Sequence, residues 1–258
     1  MLIHVSAEII SSAANPLVKD VRRAVRRGGL TSGGLMLAET PHLLEEAVRS
    51  GSDIGAVLLA TGARAAVPGG VRAVQLPDEL FRSVAATEAP QGVIALVRPR
   101  AWLMEELFAG TPLVVVLDGV QDPGNAGAVL RSAEAFGATG VMFLKGTASP
   151  FNPKAVRASA GSVFRVPFVT GVEHGEARAA LARVTCFAAS ARGGTDAAEA
   201  DFTRPCAIII GSEGAGVSEA MSSGAAGVRI STASVESLNA ATAAAILLYE
   251  ARRRRSRA

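Results

Sequence analysis

The sequence predicts an α/β protein in two parts. A small α/β domain spans residues 1–98, a linker spans 99–111, and an open parallel sheet with helices on both faces spans 112–258. Three observations carry that prediction. Short, unbroken apolar runs rich in β-branched residues, such as Leu113–Leu117 and Ala207–Ile210, read as strands buried on both faces. Segments with apolar residues at helical spacing alternate with those runs, which is the pattern of strand–helix–strand units. Pro99 and Pro112 bracket a stretch that fits neither half and contains the only tryptophan, Trp102.

In the first part, Pro16–Arg27 reads as a helix with Val18, Val21 and Val25 on one side. Lys19, Arg22, Arg23, Arg26 and Arg27 form a continuous stripe on it, interrupted only by Asp20. Such a stripe is either a contact for a polyanion or a solvated face, and its single sign leaves the two readings level. Gly28–Gly34 break the chain, Leu35–Ala38 is a short strand, and Pro41–Arg49 is a helix with Thr40 as N-cap. Ala56–Ala60, Val71–Leu76 and Gly92–Val97 read as strands, with a helix at Leu76–Val84.

In the second part, strand Leu113–Leu117 leads through a Pro- and Gly-containing loop to a helix with Asn125 as its expected N-cap and Gly137 as its C-cap. Arg131 lies within that helix, among small and apolar residues, either snorkelling to solvent or serving a site. Strands follow at Val141–Leu144, Arg165–Val169, Thr185–Ala189, Ala207–Ile210 and Val228–Ile230. Helices are expected at Pro153–Ala160, Glu173–Arg183, Val217–Ser222 and Leu238–Arg253, the last with Ser237 as N-cap and Asn239 in its first turn. Arg252–Arg255 and Arg257 suit a helix C-terminus.

Composition narrows the function classes. No apolar stretch is long enough to span a bilayer, and the N-terminus carries no basic, cleavable leader pattern. Cys186 and Cys206 read as small core residues of a reduced, cytoplasmic protein. With His4, His42 and His174 they form no metal-ligand spacing, so no metal is expected. The GSEGAG run ends a late strand, whereas a dinucleotide loop follows the first strand of a βαβ unit, and Glu213 would oppose a pyrophosphate. Walker and nucleophile-elbow patterns are absent.

Three blocks stand out: DPGNAGAVLRSAEAFGA (Asp122–Ala138), IIIGSEGAGVS (Ile208–Ser218) and ISTASVESLNAATAAAILLYE (Ile230–Glu250). In that order they resemble the three motifs of the SpoU, or TrmH, family of the SPOUT superfamily, RNA ribose 2′-O-methyltransferases that use S-adenosylmethionine. The intervening NPKAVRASAGSVFRVPF is similar as well, and the first hundred residues resemble, more loosely, the substrate-binding domain of many members. The resemblance implies a C-terminal trefoil knot, a homodimer, and S-adenosylmethionine held in the knot. It assigns the catalytic role to Arg131, with Asn125, Glu213, Ser237 and Asn239 around it, and an adenine cradle to the backbones of Gly211, Ile230 and Leu238. RNA contacts fall to Lys19, Arg22, Arg23 and Arg26. The extra N-terminal domain favours ribosomal RNA; a tRNA substrate, or RNA binding without catalysis on the same fold, are the alternatives.

Overall fold

A computed structural model describes residues 7–191 and 193–256; His4 and Arg257 lie outside them. The chain forms two compact units, Met1–Ala101 with Phe151–Phe164, and Trp102–Pro150 with Arg165–Ala258.

The first unit opens with β1 (Glu8–Ile9), α1 (Pro16–Arg27), β2 (Met36–Glu39), α2 (Pro41–Arg49), β3 (Ile54–Ala60), β4 (Arg72–Leu76), α3 (Asp78–Arg82) and β5 (Val93–Val97). Its five-stranded sheet runs β1-β4-β3-β5-β2. The pairs β1–β4 and β3–β4 are parallel, whereas β5 is antiparallel to both β3 and β2. The bounds of α1 follow from local chemistry. Asn15 accepts the Leu17 N–H, Pro16 occupies the first helical position, and Gly28 in the left-handed conformation caps the end. Val18, Val21 and Ala24 bury one face of α1 against the sheet core.

The second unit continues with β6 (Leu113–Asp118), α4 (Pro123–Phe136) and β7 (Gly140–Leu144). The next helix, α5 (Pro153–Ala158), belongs to the first unit and lies along β2. There a Cβ on Gly28 would stand 2.4 Å from Asn152 Nδ2, the end of a side chain, and the left-handed φ of 63° is what asks for glycine at this cap. The chain then returns through β8 (Phe168–Val172), α6 (His174–Leu181), β9 (Thr185–Ala189), β10 (Thr195–Asp196), β11 (Cys206–Gly211), α7 (Glu219–Ser222), β12 (Ala226–Arg229) and α8 (Ala240–Arg255). All pairings in the seven-stranded sheet β10-β12-β9-β11-β6-β7-β8 are parallel. The strand expected at Arg165–Val169 begins only at Phe168, because Pro167 has no N–H to give a ladder.

Two expected helix starts are corrected. Asn125 is not the N-cap of α4: Asp122 is, with Pro123 at the first helical position and the Asp122 carboxylate accepting the Asn125 N–H at 3.0 Å. Ser237 is not the N-cap of α8: Asn239 is, accepting from the N–H groups of Ala241 and Thr242. The far end of α8 does more than complement a dipole. Arg255 donates to the carbonyls of Phe202, Thr111, Pro112 and Arg204 at 2.7–2.8 Å, clasping the segments that enter β6 and β11.

Candidate active site

The C-terminal ends of β6 and β11 lie side by side, with Asp118 in register with Gly211. Beyond that edge of a parallel sheet the loops gather, and such crevices are where ligands bind. Gly211 leads into a tight turn in which Ser212 and Gly216 exchange backbone hydrogen bonds of 3.0 and 2.9 Å. A Cβ on Gly211 would sit 1.9 Å from the Gly216 carbonyl carbon, so glycine there is what allows the turn to fold back on its own strand.

Behind the turn opens a cleft of about 760 Å³. Gly211, Ile230 and Leu238, the three expected adenine contacts, all line it, together with Glu213, Val217 and Ser237. Ile230 follows directly on β12, and Leu238 directly precedes the cap of α8. The walls therefore come from three separate stretches of chain that the parallel sheet brings to one edge.

At the mouth, three polar side chains form a chain of hydrogen bonds. Asn125 Nδ2 donates to Glu213 Oε1 at 2.7 Å, and Asn239 Nδ2 donates to Asn125 Oδ1 at 3.0 Å. This arrangement depends on the corrected caps. Asp122 caps α4, which frees the Asn125 side chain to reach across to the turn. Asn239 caps α8 with its oxygen and reaches Asn125 with its amide nitrogen. The bonds span 88 and 114 residues of sequence, tying the three motif blocks together.

The other expected site residues stand apart from that network. Ser237 is exposed in the loop before α8 and, among the described residues, makes no hydrogen bond. Arg131 lies on α4 after Asn125, exposed, without an ion pair or hydrogen bond among the described residues, and outside the lining of the cleft. In the first unit, Lys19, Arg23 and Arg26 are exposed along α1, with Arg23 in a loose 4.0 Å ion pair with Asp20. Arg22 differs: its guanidinium bonds the Ser83 hydroxyl at 2.7 Å and the Ser83 carbonyl at 3.4 Å, fastening α1 to the end of α3. Among the described residues, no group of His, Cys, Asp and Glu side chains is placed to hold a metal ion.

Sequence reasoning passed over Asp118 and His174. Asp118 closes β6 with a buried carboxylate, one oxygen 3.1 Å from His174 Nε2 and the other accepting the Ser218 N–H at 2.7 Å. A carboxylate ending an otherwise apolar, doubly buried strand was a signal of this, since a buried charge demands partners.

Residues 112–249 match the SpoU rRNA Methylase family, and residues 15–95 match the MRM3-like substrate binding domain. The chain is 32% identical to the 23S rRNA (guanosine(2553)-2'-O)-methyltransferase RlmP of Bacillus subtilis, over 94% of this chain and 98% of that protein. Its structure is similar to that of an AdoMet-bound rRNA methyltransferase from Sinorhizobium meliloti, with a TM-score of 0.82 and 27% identity, covering 96% of this chain and 98% of that one. It is also similar to the SpoU methyltransferase AviRb of Streptomyces viridochromogenes in complex with AdoMet, with a TM-score of 0.80 and 27% identity over 95% of this chain and all of that one. A family match over more than half of the sequence, and a relative aligned almost end to end, place this chain in the SpoU rRNA methylase family.

Proposed function

We propose that this protein transfers a methyl group from S-adenosylmethionine to a ribose 2′-hydroxyl of ribosomal RNA. The observation that carries the reading is the junction of Asn125, Glu213 and Asn239 at the mouth of a cleft that gathers Gly211, Ile230 and Leu238. The cleft suits the cofactor chemically. Ile230, Leu238 and Val217 offer apolar walls, the turn offers backbone donors and acceptors for an adenine edge, and Glu213 offers a carboxylate for an ammonium or the target nucleotide. When bound, S-adenosylmethionine supplies an electrophilic methyl group on a sulfonium.

This chain's residues then have separate tasks. The Asn125–Glu213 and Asn125–Asn239 bonds hold the turn and the start of α8 in one geometry, a preorganisation that costs nothing at the moment of reaction. Arg131 stabilises negative charge developing on the 2′-oxygen and grips the adjacent phosphate. It is not the base, because a guanidinium stays protonated in proteins. The proton passes to an RNA phosphate oxygen or to water. Ser237, exposed on the cleft wall, positions the nucleotide. Calorimetry is expected to show binding of S-adenosylmethionine and not of NAD, and labelled-methyl transfer is expected to appear as 2′-O-methylation of ribosomal RNA. NAD binding, or no S-adenosylmethionine binding with RNA present, overturns the reading.

RNA engages the exposed basic residues of α1. Lys19, Arg23 and Arg26 are the contacts; Arg22 is occupied by Ser83 and holds the helix in place. Replacing Arg23 and Arg26 with Gln is expected to flatten the salt dependence of RNA binding, by about 0.7–0.9 log units for each phosphate no longer neutralised. An unchanged slope assigns the stripe to a solvated face.

The catalytic unit is read as half of a homodimer. Phe136 and Tyr249 meet edge to face at 5.8 Å, and with Ala128, Ala245 and Ile246 they line an exposed apolar groove between α4 and α8. Tyr249 is 52% exposed, and a second copy is the occupant that covers it. Sedimentation is expected to give a dimer at micromolar concentration; a monomer contradicts the shared face. The C-terminal segment is read as threading a trefoil knot, a topology otherwise nearly absent from proteins, with α8 returning to pack on α4 and β11. The compartment is read as cytoplasmic: both cysteines are free, and burial pushes both thiols up, as in inert core residues.

A further inference from the structure

We infer that Asp118 is a positioning residue that sets the wall of the cofactor cleft by holding both ends of the Gly211–Ser218 loop, with His174 as its brace. The inference rests on the reading of that cleft as the S-adenosylmethionine site.

Asp118 ends β6, a strand paired on both sides, and its carboxylate is 5% exposed. Its backbone is in register with Gly211, where the loop begins. Its Oδ2 accepts the N–H of Ser218, where the loop ends, at 2.7 Å. One residue therefore spans the base of the loop that contributes Ser212, Glu213 and Val217 to the cleft. Ser218 is also the N-cap of α7, and its hydroxyl makes no cap bond; it is buried without a partner among the described residues. The carboxylate of Asp118 is thus the side chain that receives an N–H at the start of α7.

The second oxygen faces a side chain from another element. His174, the first residue of α6, places Nε2 3.1 Å from Asp118 Oδ1. A buried carboxylate is costly unless its oxygens are satisfied, and here each has a partner from a different element. The clasp joins β6, α6 and the loop, and the Asn125–Glu213 bond holds the outer part of the same loop. The loop is gripped at its base and at its tip by groups from the β6–α4 segment. A turn held at two points keeps its backbone aimed at a ligand without reorganisation, which is how an outlying carboxylate governs affinity.

Asp118→Ala removes the acceptor of the Ser218 N–H and leaves that donor buried and unpaired. Asp118→Asn keeps the volume and one acceptor oxygen. Three measurements test the pair of variants: hydrogen exchange at residues 212–218, calorimetric S-adenosylmethionine affinity, and the KM values for cofactor and RNA. For Asp118→Ala, exchange in the loop is expected to accelerate and cofactor affinity to fall about ten- to a hundred-fold, the size of an unsatisfied buried donor. The KM for RNA is expected to stay unchanged, which separates positioning from general damage. Asp118→Asn is expected to fall between wild type and Asp118→Ala, and His174→Ala to reproduce part of the loop exchange. Should Asp118→Ala fail to fold, Asp118→Asn and His174→Ala carry the test. Wild-type exchange and cofactor affinity in the folded variants overturn the inference. If the wild-type protein itself binds no S-adenosylmethionine, the functional reading falls, while the exchange data still decide whether Asp118 positions the loop.

Discussion

Arg131→Lys is expected to leave folding and cofactor affinity intact and to cut methyl transfer about 10²–10³-fold. The stability half of the expectation comes from where the residue lies. Arg131 is exposed on α4 and, among the described residues, has neither an ion pair nor a hydrogen bond, so the fold does not depend on its charge. Substitutions at such surface positions usually stay within about 0.5 kcal/mol of neutral. The activity half comes from shape. Lysine keeps the charge and most of the stem but presents a rotating point charge instead of a planar, multi-donor fork. The role proposed for Arg131, meeting a phosphate and a nascent oxyanion together, needs the fork. Arg131→Ala is expected to be at least as severe. Single-turnover transfer of labelled methyl to RNA is the measurement, with melting temperature as the control. A Lys variant with wild-type turnover refutes the catalytic assignment; a variant that melts early moves Arg131 to a structural role.

Arg131 also shows where reading by sequence stops. Elements that depend on neighbours in the chain were legible. The helix α1 runs from Pro16 to Arg27 because Asn15, Pro16 and Gly28 act within a turn of themselves. The strand β6 is an apolar run, and β-branched runs of that length bury as parallel strands. What depends on distant partners was not legible. Asp122 and Asn125 both make plausible N-caps, and only the Glu213 contact shows why Asn125 lies inside the helix. Ser237 and Asn239 are equally good caps on local grounds, and the bond to Asn125 goes with Asn239 as the cap. Arg22 belongs to the basic stripe by spacing and to Ser83 by contact, across 61 residues. Arg255 read as one of several cations at a helix end, yet its four carbonyl partners come from segments far back in the chain. The motif blocks named residues that the fold brings to one cleft; which of them pair there depends on contacts across 88 and 114 residues of chain.

The same sheet leaves no room for a side chain at Gly211, and Gly211→Ala is expected to weaken S-adenosylmethionine binding about a hundred-fold while the fold survives. The new methyl group would lie 1.9 Å from the carbonyl carbon of Gly216 and 2.1 Å from the Val217 nitrogen. Those are backbone atoms, so no rotamer change relieves the overlap, and either the strand or the turn must move. The strand β11 is zipped to β6 from Cys206↔Leu113 to Gly211↔Asp118 and to β9 on its other edge. The turn is held by the Ser212–Gly216 pair of bonds and, at two points, by the Asn125–Glu213 and Asp118–Ser218 bonds, fewer than the two ladders of β11, and it is exposed from Glu213 to Gly216. The weaker partner yields, so the turn opens and Val217, part of the cleft wall, shifts with it. RNA affinity, read as residing on α1, is expected to hold. Gly175→Ala serves as the control: a Cβ there meets nothing within 4 Å, and the helical site predicts a gain of about 0.4–1 kcal/mol. Calorimetry on both variants, with thermal melts alongside, makes the comparison. Undiminished cofactor affinity in folded Gly211→Ala would show that the cofactor does not bind against this turn.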